Sequence, residues 1–278
     1  MSRLKFKLMR AGYCDAHEHH AIRGGRKKKI AFDAVFALIK HPQEGFILFD
    51  TGYTKRFYEE TSHYPEKIYA NFTKVYINPE EEAVQQLQKL GIAPTEIKHL
   101  IISHFHADHV GGLKDFPAAT FYCSAEAYNQ VKQKNGFAAV RKGLLKGLIP
   151  ADFDERVYLI DQCKKINNPY FEVAYDLFGD GLIQLIGLNG HGAGQFGALL
   201  KTNEKDIFLV ADACWLSRSY QQLILPHPIV RLFFESWQQY KENLDRLHKF
   251  HKDHPEVLII PTHCNATSSK IISTQIAW

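Results

Sequence analysis

The stretch Leu100-Ile101-Ile102-Ser103-His104-Phe105-His106-Ala107-Asp108-His109-Val110-Gly111-Gly112 decides the fold of this chain. Three imidazoles and one carboxylate fall within the six consecutive residues 104–109. Imidazole is the commonest side-chain metal ligand, and carboxylate joins it readily around Zn²⁺ or a similar first-row ion. The apolar run Leu100-Ile101-Ile102 reads as a buried strand. Gly111 and Gly112 let the backbone turn tightly after the ligands have been presented. The cluster is therefore expected in a loop at the C-terminal end of a strand, held by a rigid sheet. His104 and His106 are two apart, so an extended backbone points both toward one ion. Asp108 and His109 lie past the bend, toward a second position. Neither set is complete, because a zinc site takes about four ligands, water included.

The other donors lie far away in sequence and share one setting. Asp50 ends the run Phe46-Ile47-Leu48-Phe49 and is followed by Thr51-Gly52. His191 comes after Leu185-Ile186-Gly187-Leu188 within Asn189-Gly190-His191-Gly192-Ala193-Gly194. Asp212 ends Ile207-Phe208-Leu209-Val210-Ala211, and His263 follows Val257-Leu258-Ile259-Ile260-Pro261-Thr262. Loops fixed by a scaffold are where chemistry concentrates. One such histidine alone would read as structural; five loops sharing the pattern point to one centre.

This ordered set, Asp50-Thr51-Gly52, His104-x-His106-x-Asp108-His109, Gly190-His191, Asp212 and His263, resembles the metallo-β-lactamase superfamily of hydrolases. The resemblance covers residues 30–264. Within the superfamily the chain is most similar to the N-acyl-homoserine lactonases, compact dizinc enzymes that open the lactone ring of bacterial quorum-sensing signals. The segment Ala11-Gly12-Tyr13-Cys14 and the chain length add to that likeness. The resemblance implies an αββα sandwich, with His104, His106 and His191 on one ion, Asp108, His109 and His263 on the other, and Asp212 bridging. Asp50 is expected to support the ligand histidines by hydrogen bonds rather than to bind metal. The implied cofactor is two Zn²⁺, with Mn²⁺ or Fe²⁺ as alternatives. A water between two such ions loses a proton near neutral pH, which makes a bridging hydroxide the expected nucleophile. Asp108 is suited to pass a proton to the leaving group.

Departures from the pattern bear on the substrate. The lactonases carry a tyrosine three residues after the bridging aspartate, where this chain has Trp215. An indole donates one N–H and cannot act as a phenol. Tyr220 would replace that tyrosine if its loop folded back, so Trp215 and Tyr220 join Asp108 as candidate catalytic residues. Gln195 stands where the second histidine of Gly-His-x-x-Gly-His is usual and is expected outside the ligand set. Segments 136–150 and 216–235 are rich in Leu, Ile, Phe and Pro. They are suited either to a substrate's acyl or aromatic group or to the core.

The reading is a metal-dependent hydrolase that opens a lactone or cleaves an ester of a small molecule. A thioester hydrolase of the glyoxalase II type would share the ligands, but only fifteen residues follow His263 to supply its helical region. A phosphodiesterase or tRNA-processing nuclease would want a basic arm, against a net charge of +4 spread along the chain. A flavodiiron protein prefers an acid where His106 stands. A non-enzymatic metal sensor is the remaining alternative, and retention of every ligand position argues against it.

Composition agrees with a globular enzyme, at 45% hydrophobic and 23% charged residues. A single domain over 1–278 is expected, with no nucleic-acid or membrane partner and a homodimer left open. No apolar stretch approaches the ~20 residues of a membrane span. The N-terminus Met1-Ser2-Arg3-Leu4-Lys5-Phe6-Lys7 lacks a signal-peptide core. Five dispersed cysteines without C-x-x-C spacing fit reduced thiols and a cytoplasmic setting. Cys214 and Cys264, beside Asp212 and His263, read as packing residues. The run Arg23-Gly24-Gly25-Arg26-Lys27-Lys28-Lys29 reads as a solvated loop.

Strands are expected over 32–39, 46–50, 118–123, 182–188, 196–201 and 207–211. Asn78-Pro79 followed by three glutamates starts a helix that Gly91 closes. Ser124 caps another, 137–148 reads as an amphipathic helix, and 235–253 as a long one with Trp237, Tyr240, Leu244, Leu247 and His251 on one side.

Overall fold

Alternation of side chains along the strands builds the layers in the computed structural model, which describes residues 3–275. The first sheet contains β1 (Lys5–His17), β2 (Lys29–His41), β3 (Gly45–Phe49), β4 (Val75–Tyr76), β5 (Ile97–Ile101), β6 (Thr120–Cys123) and β7 (Val157–Leu159). The second contains β8 (Lys164–Lys165), β9 (Ala174–Asp176), β10 (Ile183–Gly187), β11 (Phe196–Leu200), β12 (Ile207–Ala211) and β13 (Leu258–Pro261). Their spatial orders are β4-β1-β2-β3-β5-β6-β7 and β13-β12-β11-β10-β9-β8. The long hairpin β1–β2 is antiparallel, whereas β3, β5, β6 and β7 run parallel.

On β2, Val35, Ala37 and Ile39 enter one buried cluster while Ala34, Phe36 and Leu38 enter another. On β12, Ile207 and Leu209 share the first of these clusters, and Phe208 and Val210 enter a third. The shared cluster, with Leu185, Phe196, Ala198 and Ile260, lies between the sheets. The other two lie under helices on the outer faces. A two-residue period buried on both faces demands cover on both faces, and the result is the αββα sandwich. Each fully buried Leu, Ile or Phe contributes roughly 1.5–3 kcal/mol.

Several expected elements form as read. Ser124 accepts from the Ala127 N–H at the start of the helix Ala125–Gln133. The helix Trp237–Asp253 buries Tyr240, Leu244 and Leu247, joined by Asn243 and Phe250. The Asn78 start differs. Asn78 caps a single 3₁₀ turn, Pro79–Glu81, and a separate helix runs Ala83–Lys89. The side chain of Glu82, at the break, accepts from the Lys55 N–H instead.

The expected helix 137–148 is also broken. It forms a short helix Gly136–Arg141, then bends at Gly143 (φ 71°) into a 3₁₀ turn, Lys146–Leu148. The bend accommodates His106, whose ring a Cβ at Gly143 would approach to 2.5 Å. The ring's Nε2 donates to the Lys142 carbonyl at 3.1 Å. Packing of the His106 ring outweighs the local helical pattern here. Among the described residues no helix is long and apolar enough to cross a membrane.

Candidate metal centre

The donors converge at the ends of four strands. His104 and His106 lie in the loop after β5; Asp108 and His109 ride a single helical turn, Ala107–Val110, that starts at His106. His191 lies between β10 and β11, Asp212 follows β12, and His263 follows β13. Two strand ends adopt left-handed backbone without glycine: Asp50 (φ 58°) and Ala211 (φ 47°). Such conformations cost on the order of 1–3 kcal/mol and persist where surrounding structure enforces them. One carries Asp50, and the other turns the chain into Asp212.

Seven side chains form two adjoining groups of potential ligands. His104, His106, His191 and Asp212 make one, and Asp108, His109 and His263 the other, with donor atoms in each within 4.8 Å of one another. Asp212 connects them. Its Oδ2 lies 3.2 Å from His191 Nε2 and 3.0 Å from His263 Nε2, and its Oδ1 lies 3.4 Å from His109 Nε2. Asp108 Oδ2 lies 3.3 Å from His109 Nε2 and 3.4 Å from His263 Nε2.

Outer partners select the tautomers. His109 Nδ1 donates to Asp50 Oδ2 at 2.7 Å, and His263 Nδ1 to the Asp33 carbonyl at 2.8 Å. In both, Nε2 faces inward, toward Asp212. His106 is reversed, because its Nε2 donates to Lys142 and leaves Nδ1 bare toward His191 Nε2, 3.0 Å away. Ser103 binds the system from behind. Its N–H donates to Asp50 Oδ1 and its hydroxyl to Asp50 Oδ2, each at 2.8 Å, while its Oγ lies 3.1 Å from His104 Nδ1. Asp50 thus sits behind the candidate ligands and outside both groups.

The residues fit a pair of cations. His104 Nε2, His109 Nε2 and Asp212 Oδ1 are buried without a hydrogen-bond partner. Unpaired buried polar atoms are costly, and these three converge on the space between the two groups. Electrostatics agree. Burial drives the His191 imidazole down to about 3 and holds His104 and His106 low, which keeps them in the ligating neutral form. Burial alone would lower His109 and His263, yet both are raised, His109 chiefly by Asp108 and Asp50 and His263 by Asp212. Against its own burial, Asp108 is lowered to about 2 by His109 and His263.

Aromatic rings wall the centre. Phe32 stacks on His263 at 4.7 Å, and Phe234 meets His191 edge-on at 5.0 Å. Trp215 packs against Phe32, His191 and Phe234, and its Nε1 donates to Asp212 Oδ2 at 3.2 Å. The fold does not bring Tyr220 to the centre. Its ring is buried under the second sheet and its hydroxyl points at the Ile259 carbonyl, 3.5 Å away, because the helix Ser217–Gln222 continues outward from Trp215 rather than folding back. Gln195 is buried, donates to the Leu188 carbonyl and stays outside both ligand groups. Cys264 Sγ accepts from the Ser217 N–H, away from the donors.

The expected apolar segments divide between roles. Leu144, Leu145, Leu148, Val230 and Phe234 are buried, whereas Phe137, Ile229, Leu232 and Phe233 are exposed. Sequence reasoning passed over Phe32, Phe234, Ser103 and Asp33. Only Ser103, directly before the histidine string, carried a usable signal.

A model of the metallo-beta-lactamase superfamily matches residues 33–254. The chain belongs to that superfamily, and it is a metal-dependent hydrolase. It is similar to the N-acyl homoserine lactonase AttM of Agrobacterium fabrum, with 25% identity over 231 residues, 81% of this chain and 82% of the relative. Its fold is like that of an N-acyl homoserine lactone hydrolase solved with N-hexanoyl-L-homoserine at its metal centre, at TM-score 0.74 and 17% identity over 97% of both chains. A mutant of AiiA from B. thuringiensis, solved with N-decanoyl-L-homoserine at its active site, is similar to the same degree, with the same score, identity and coverage.

Proposed function

We propose that the chain is a dinuclear hydrolase, with zinc as its default metal, that opens a lactone or cleaves an ester of a small molecule. One observation carries this reading: two ligand groups meet across the single carboxylate of Asp212. Two divalent ions held there supply carbonyl polarisation and a water that is acidic near neutral pH. The chain's own residues do the rest. Asp50, the Asp33 carbonyl and the Lys142 carbonyl lock three imidazoles with the ligating nitrogen inward. Asp108, ionised and buried, accepts a proton during attack and returns it to the leaving oxygen. Phe32, Trp215 and Phe234 exclude water from one side of the reacting carbonyl.

Similarity to the named lactonases supports a lactone substrate. Trp215 argues for one other than an acyl-homoserine lactone, since its only N–H is directed to Asp212. A missing donor at a developing oxyanion typically costs ~10²-fold or more in rate. The test is a hydrolysis screen of the zinc-loaded protein on aliphatic lactones of graded chain length, simple esters, a thioester and a phosphodiester. Chelator-sensitive turnover of lactones or esters is expected, with acyl-homoserine lactones among the slower. Trp215→Tyr should raise kcat/KM for a homoserine lactone. Turnover confined to the phosphodiester or the thioester would overturn the reading.

A further inference from the structure

A second group of imidazoles lies apart from the centre. β1 ends at His17, and the sequence continues Glu18-His19-His20 in a single helical turn, Glu18–Ala21. From the far end of the chain, His227 joins them. Its N–H donates to the His20 carbonyl at 3.0 Å, and the Arg23 N–H donates to the Leu225 carbonyl at 2.9 Å. The two segments are thereby fixed side by side.

The ring centres of this group lie 5.4 Å (His17–His19), 5.4 Å (His17–His20), 4.2 Å (His19–His20) and 5.8 Å (His20–His227) apart. Ring spacings at the main centre cover a similar range, from 4.0 Å for His104–His109 to 6.2 Å for His109–His263. Two of the rings have a nitrogen open to a ligand. His19 Nδ1 is buried with no partner. His227 Nδ1 accepts from the Ile229 N–H, which leaves Nε2 available. Glu18 is engaged with Arg26. Burial, then the neighbouring imidazoles, lower His20, which favours its ligating neutral form. The donor nitrogens converge less closely than at the main centre, and the rings, all at least partly exposed, must turn to meet one ion.

We propose that His17, His19, His20 and His227 form a separate, exchangeable site for one divalent transition-metal ion of the kind that favours imidazole, such as Zn²⁺, Ni²⁺ or Cu²⁺. Such an ion ties the end of the β1–β2 hairpin to the segment that continues through the 3₁₀ turn Pro228–Leu232 to Phe234, the ring against His191. The site therefore links metal supply to the wall of the hydrolytic centre.

The test is equilibrium dialysis of the full chain against buffered micromolar free Zn²⁺ at about pH 7.5, with bound metal counted by elemental analysis. The wild type should hold one ion more per chain than His20→Ala/His227→Gln. Its thermal midpoint should rise with zinc between nanomolar and micromolar concentrations, and that rise should be absent from the variant. His251→Gln, on the helix Trp237–Asp253 with its ring against Tyr220 rather than the four imidazoles, should keep the extra ion. Equal counts in wild type and double variant, or loss of the ion in His251→Gln as well, would overturn the site. Should the double variant fail to fold by circular dichroism, His227→Gln alone, at an exposed position, decides through at least tenfold weaker binding of the extra ion. A failure of the dinuclear reading would lower the counts of wild type and variants alike and leave their difference intact.

Discussion

Asp50→Asn isolates the contribution of the supporting carboxylate. Asparagine is the right replacement, because Asp50 sits at φ 58°, a left-handed conformation that costs Asn less than Ala. The carboxylate accepts three hydrogen bonds, from the Ser103 N–H on Oδ1 and from the Ser103 hydroxyl and His109 Nδ1 on Oδ2. An amide offers one oxygen. If that oxygen faces the Ser103 N–H, the NH₂ meets His109 Nδ1 and forces the hydrogen onto Nε2, the nitrogen that faces Asp108 and Asp212. If it faces His109, the NH₂ meets the Ser103 N–H, and a buried donor goes unsatisfied at a cost of about 1–3 kcal/mol. The metal needs the second arrangement while the metal-free side chain settles in the first, so about 1.4–2.8 kcal/mol is lost on binding, which corresponds to 10–100-fold weaker binding of the ion held by Asp108, His109 and His263. The other ion, on His104, His106, His191 and Asp212, should bind within severalfold of normal. Competition with a chromophoric chelator resolves the two affinities. Two ions bound within twofold of wild type would refute the argument that Asp50 sets the His109 tautomer.

Three further outcomes are expected. Asp212→Ala should leave the circular dichroism spectrum unchanged and remove most turnover, since it links both ligand groups; activity near wild type would sink the assignment. Gly143→Ala should cost about 1–2 kcal/mol for the left-handed backbone alone. It should also displace the His106 ring, which the new Cβ would meet at 2.5 Å, so denaturant titration and metal affinity should both fall, whereas a change in stability alone would show that His106 can shift without losing its ion. Metal binding at about pH 7 should release protons, because the carboxylates raise His109 and His263 and so enlarge their protonated share in the metal-free protein. Affinity then falls as pH falls. Calorimetry in buffers of differing ionisation enthalpy measures the release, and a heat independent of buffer would contradict it.

The cluster of potential ligands was legible in the chain because each donor follows an apolar run at a strand end and the string 104–109 concentrates four of them. The layers were legible too, since alternation on β2 and β12 leaves no face to solvent. Local patterns misled where a distant side chain intervened. The helix read over 137–148 bends at Gly143 to admit His106, and the one started by Asn78 breaks where Glu82 reaches Lys55. The sequence offered Tyr220 and Trp215 equally as stand-ins for a phenol. Only the direction of the helix Ser217–Gln222 buries the tyrosine and leaves the indole on Asp212. Tautomer choice was equally hidden, because the partners of His106 and His263 are backbone carbonyls 36 and 230 residues away. Side-chain type and spacing are local properties that sequence carries. Which carbonyl meets which imidazole, and which aromatic ring walls the site, depends on segments that become neighbours only when the two sheets pack.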